Sequence, residues 1–82
     1  MIRNRVKWLI QFCQEMNVNI HNNKAKASIV AISMNDNLQD SELGDCFIHA
    51  YQAPSSIFMD ALQTTDEFNA ILNILNEQLL EG

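Results

Sequence analysis

Apolar residues recur at Ile2, Val6, Leu9, Cys13 and Met16, in alternating steps of four and three. That spacing lays them along one side of a 3.6-residue helix and predicts a first helix over residues 2–17. Trp8, Ile10 and Phe12 widen the stripe to roughly 200° of the helical wheel, broader than a surface helix needs. Either this helix is sandwiched inside the domain or part of it meets another chain. Arg3, Asn4, Lys7, Gln11, Gln14 and Glu15 share the polar arc, while Arg5 intrudes near Leu9 and Phe12.

Residues 17–24 (Asn-Val-Asn-Ile-His-Asn-Asn-Lys) form a connector rich in residues that tolerate turns. Residues 25–34 (Ala-Lys-Ala-Ser-Ile-Val-Ala-Ile-Ser-Met) read as a strand, and Asn35 to Gly44 as a polar loop. Residues 45–53 (Asp-Cys-Phe-Ile-His-Ala-Tyr-Gln-Ala) read as a second strand. Two successive strands joined by so short a loop pair most simply as an antiparallel hairpin.

Pro54 ends the second strand, and Ser55-Ser56 can cap a short helix reaching Leu62. Thr64-Thr-Asp-Glu67 has capping-box spacing, in which the Thr64 hydroxyl and the Glu67 carboxylate satisfy each other's backbone amides. It predicts a last helix to about Leu80, with Phe68, Leu72, Leu75 and Leu79 along its inner stripe. The expected order is α-β-β-α-α, a two-layer α+β fold with the hairpin packed on helices. The last two helices could also be one bent helix. The chain, residues 1–82, is a single domain.

This order of parts resembles that of small bacterial proteins of unassigned function: a short apolar strand at Ala27 to Ile32, a brief helix at Ile57 to Leu62, and a helix opened by Asp66-Glu67-Phe68. The resemblance implies no activity.

Hydrophobic residues make up 48% of the chain, enough to drive a folded core. Ten Asn and six Gln supply much of the remainder. All five bases, Arg3, Arg5, Lys7, Lys24 and Lys26, precede residue 27, and nine of the ten acids follow it. This polarity can steer a partner or pair copies of the chain head to tail. Cys13 and Cys46 each lie in an apolar run and read as buried structural thiols. The longest apolar run near the basic start, Trp8-Leu9-Ile10, is too short for a signal-peptide core or a membrane span. The expectation is a cytoplasmic protein that binds neither membrane nor cofactor.

Chemistry fares poorly. Gly44 and Gly82 are the only glycines, so no phosphate-cradling loop can be built. Cys46-Phe-Ile-His49 has metal-ligand spacing, but on a strand those two side chains point to opposite faces, so no metal site is expected. Asp36, Asp40, Glu42 and Asp45 sit in a solvated loop that lacks the ligand ladder of a calcium site. Arg3 and Lys7 on one helix face are a weak nucleic-acid footprint against a net charge of −5.

Surfaces remain. Both faces of the expected hairpin are apolar, and a two-stranded sheet leaves two open edges. Ile29, Ala31, Phe47, His49 and Tyr51 are therefore candidate interface residues. Asn69, Asn73 and Asn76, at steps of four and three on the last helix, join them as donors and acceptors for a partner's backbone. The expected function is a non-enzymatic protein-interaction module, a homodimer or an accessory subunit. One alternative is a ligand-binding or catalytic domain centred on His49, Tyr51 and Cys13. Another is an acidic inhibitor of a basic protein.

Overall fold

Residues 25–34 do not form a strand. In the computed structural model, which describes residues 2–81, they lie within a helix. Met1 and the terminal Gly82 fall outside the described residues. The chain folds as α1 (Ile2–Glu15), α2 (Asn23–Ser33), a 3-10 turn (Asp40–Glu42), α3 (Leu43–Gln52), α4 (Ile57–Leu62) and α5 (Asp66–Glu81). No strand occurs among the described residues, so the fold is all-helical and the expected α+β hairpin is overturned.

The reason lies in how α2 is buried. Ala27, Ser28, Ile29 and Val30, more than a full turn, are all buried, as are Ala25, Ile32 and Ser33. Packed against α1, α3 and α5, the helix keeps only a narrow wet side, at Asn23, Lys24, Lys26 and Ala31, so its apolar run is hard to tell by period from that of a buried strand. Local chemistry favours the helix. The Asn22 side chain accepts from the amides of Lys24 (2.8 Å) and Ala25 (3.3 Å), capping it. Ala25, Ala27 and Ala31 are strong helix formers and are depleted from strands.

The second expected strand is α3. It begins at Leu43, so Leu43, Phe47 and Tyr51 share a side at steps of four; the first two are buried and Tyr51 half-buried. The 3-10 turn leads into it, with the Gln39 amide donating to Glu42 Oε1 at 2.9 Å.

α1 stops two residues before its expected end. Asn17 adopts a left-handed φ of 58°. The Asn17 amide donates to the Gln14 carbonyl (3.3 Å) and that of Val18 to the Cys13 carbonyl (2.8 Å). This pair of bonds closes a helix through a left-handed residue, a place Asn accepts better than most side chains.

Val6, Leu9, Ile10 and Cys13 of α1 meet Ile29 and Val30 of α2, Leu43 and Phe47 of α3, and Phe68, Ile71 and Leu75 of α5 in one core. Of the residues that widen the α1 stripe, Ile10 is buried, Phe12 half-buried and Trp8 partly exposed. Trp8 stacks on Phe12 (5.3 Å), Phe12 meets Phe47 edge-on (6.2 Å), and Phe47 stacks on Tyr51 (5.7 Å). These two aromatics of α1 cover Gly44, where an added Cβ would stand 3.0 Å from Phe12 Cε1.

The start of α5 also departs from expectation. Thr65, not Thr64, accepts from the Phe68 amide (3.2 Å) and caps the helix. The Thr64 hydroxyl instead donates to the Ala61 carbonyl (2.7 Å), so the Thr64–Glu67 capping box does not form. Residues 63–65 separate α4 from α5 as two helices.

Candidate interaction site

A six-residue helix between Pro54 and Gln63 is too short to bury two sides. In α4 the Ser56 hydroxyl caps the first turn by accepting from the Met59 amide at 3.1 Å. No residue of α4 is buried, and Leu62 alone packs against the core. Beneath it lies a cleft of about 290 Å³, lined by Ser56, Met59, Asp60 and Gln63 of the α4 region and by Lys24, Ala27 and Ser28 of α2. The Lys24 ammonium donates to the Ala53 carbonyl across this cleft.

Ile57 and Phe58 project into solvent, 88% and 80% exposed. Single exposed apolar residues are ordinary on protein surfaces, but adjacent ones this bare on an otherwise unburied helix are not. Trp8, at 44%, already covers Gly44 through its stack with Phe12. Leu80 is equally bare near the end of α5 but has no comparably exposed large apolar neighbour. Ile57 and Phe58 therefore form the main apolar projection. The shortness of the segment between Pro54 and the Thr64-Thr65 turn is the sequence signal for it.

The residues expected to form an interface are dispersed. Ile29 and Phe47 have no exposed surface at all; they are core residues of α2 and α3. Ala31 and Tyr51 are half-buried, and His49 is exposed on α3. Asn69 donates to the Thr65 carbonyl at 2.9 Å, bracing the start of its own helix. Asn76 accepts from the Lys26 ammonium at 3.2 Å, tying α5 to α2. Asn73 is exposed.

His49, Tyr51 and Cys13 line none of five surface clefts. Cys13 is fully buried, and burial pushes its thiol from 9.0 up to about 11, away from nucleophilic service. The face argument that parted Cys46 from His49 fails, because residues three apart on a helix are neighbours. Even so, no group of three His, Cys, Asp or Glu side chains suited to a metal occurs among the described residues. No described helix is long and apolar enough to cross a membrane.

Folding brings the basic first segment against later parts of the chain. Arg3 pairs with Glu77 at 3.8 Å, and Arg5 pairs with Asp40 at 3.3 Å. With Lys24 on Ala53 and Lys26 on Asn76, four of the five bases reach partners in the later part of the chain. The basic segment thus ties early helices to later ones, in part through exposed contacts such as Arg3–Glu77, and acids remain in excess. No family model, curated protein or solved structure matches the chain.

Proposed function

We propose that the chain is a non-enzymatic protein-interaction module whose contact surface is α4, with Ile57 and Phe58 as its anchors. The observation that carries this reading is the exposure of that pair on a helix with no fully buried residue, held to the core by Leu62 alone. Burying two such side chains is worth about 1.5–3 kcal/mol each before the costs of association. The core formed by α1, α2, α3 and α5 closes without a partner, so a complex at α4 is of the non-obligate kind. The hairpin that motivated a homodimer does not exist, and the accessory-subunit form of the expectation is the one proposed.

The test is capture from source-cell lysate by the wild-type chain and by an Ile57→Ser/Phe58→Ser variant. Both sites are exposed, so the variant should unfold at the wild-type temperature. A specifically captured protein should be lost with the variant, and its amide protection on the module should centre on residues 55–62. Equal capture by both chains would refute the assignment.

A further inference from the structure

Resting on that reading, we propose that the occupant of the Ile57–Phe58 surface is a cationic amphipathic segment of another protein, and not a second copy of this chain. Residues 54–82 contain Asp60, Asp66, Glu67, Glu77 and Glu81 and no base. Asp60 lies three residues after Ile57, one helical turn away. Asp66 and Glu67 open α5 immediately beyond the turn that ends α4. All three are exposed, and the ion pairs found among the described residues, Arg3–Glu77 and Arg5–Asp40, leave them out. Lys24 shares the adjoining cleft with Asp60, but its ammonium is turned to the Ala53 carbonyl.

Charge decides between the two occupants. A two-fold dimer joins the same patch to itself, so copies meeting on α4 would bring two sets of three carboxylates together, with Lys24, already turned to the Ala53 carbonyl, as the one base of each adjoining cleft. Like charges across an interface oppose association. A helix with an apolar stripe flanked by Lys or Arg meets both features at once. Its stripe covers Ile57 and Phe58, and its cations face Asp60, Asp66 and Glu67. Burial then supplies affinity while charge supplies selectivity and approach rate.

Titration calorimetry on the full chain tests this with two synthetic amphipathic helices, one of leucine and lysine and one of leucine and glutamate. The leucine–lysine helix should bind, and the leucine–glutamate helix should not. An Asp60→Asn/Asp66→Asn/Glu67→Gln variant should bind the former about tenfold more weakly. Removing the same charge elsewhere, with Glu15→Gln/Asp36→Asn/Asp45→Asn, should weaken it less than about twofold. Equal losses from the two variants, equal binding of the two peptides, or no binding of either would overturn the inference. So would micromolar self-association abolished by Phe58→Ser. If Ile57→Ser/Phe58→Ser abolishes binding of both peptides alike, the interaction reading stands and only the charge assignment falls. Leucine–lysine binding indifferent to those two serines would overturn the interaction reading itself.

Discussion

Arg5 reaches across to Asp40, its Nε lying 3.3 Å from the carboxylate, but the ion pair is the lesser part of what this guanidinium does. The same side chain donates to the backbone carbonyls of Asn35 (2.9 Å) and Leu38, and only 16% of it is exposed. A base that breaks the apolar stripe of α1 thus fastens the loop between α2 and α3 to the first helix. Asp40 is 87% exposed, so its charge is screened and contributes at most about 1 kcal/mol. Arg5→Ala, which strips the loop carbonyls of charged donors, should cost about 2–3 kcal/mol. Asp40→Asn should cost under about 1 kcal/mol. Urea denaturation of both variants checks the order, and a larger loss for Asp40→Asn would make the ion pair the fastening.

At Gly44 two effects of opposite sign compete. Alanine is favoured over glycine within a helix by about 1 kcal/mol. Against that, its Cβ would stand 3.0 Å from Phe12 Cε1 and 3.2 Å from Cζ. Phe12 is held between Trp8 and Phe47, so its ring cannot step aside without disturbing both contacts. Gly44→Ala should therefore destabilise by about 1 kcal/mol net, within the range for overpacking. In a Phe12→Leu background the same substitution should become neutral or stabilising. Additive costs in that double-mutant cycle would place the clash elsewhere.

The cap of α5 gives a comparison between neighbours. Thr65→Ala removes the acceptor for the Phe68 amide and should cost about 0.5–2 kcal/mol. Thr64→Ala removes only a donor to the Ala61 carbonyl at an exposed turn and should cost less. Thermal melts of the two single variants are sufficient, and the reverse ranking would restore Thr64 as the cap.

The two thiols should differ in reactivity. Cys46 is half-buried and Cys13 fully buried. A disulfide reagent at pH 8 should modify Cys46 in the native protein and Cys13 only as the chain unfolds. The raised thiol also gives a pH dependence. With the folded value near 11 and the unfolded value near 9, the native state holds the Cys13 proton more tightly across that interval. Its contribution is whole below pH 9 and is lost as the pH climbs toward 11. Cys13→Ala should flatten that alkaline decline in a series of denaturation curves, at the cost of some stability at neutral pH.

The helices at the two ends of the chain were legible because each keeps a wet side. Val6, Leu9 and Cys13 of α1, and Phe68 and Leu75 of α5, show the spacing of a half-buried helix, and all are core residues. The middle was not legible, because the burial of most of α2 blurs the periodicity on which such inference depends. At α3, placing the boundary at Asp45 hid Leu43 and with it the step of four to Phe47. Asn22 ahead of an alanine-rich run, and alanines themselves at three positions, were the local evidence for a helix that long-range pattern concealed. Two of the expected interface residues, Ile29 and Phe47, were misplaced for the same reason. Ile29 and Phe47 were assigned to sheet faces, and on helices those positions point inward. Arg5 was visible as an anomaly, yet the carbonyls it serves lie about thirty residues away, and local spacing carries no information about them.

The burial of most of α2 has a dynamic counterpart in the exposure of α4. A helix whose neighbours are all core elements exposes its amides to exchange only when the whole domain opens, so α2 should report the global unfolding free energy. α4 touches the core through the half-buried Leu62 alone and should open at a small fraction of that free energy, on its own. The module would then be two-tiered, a cooperative four-helix body bearing one semi-independent arm. An arm of that kind can tilt to suit a partner while the packing of the body stays unchanged, so a partner can remodel the arm without repacking the core.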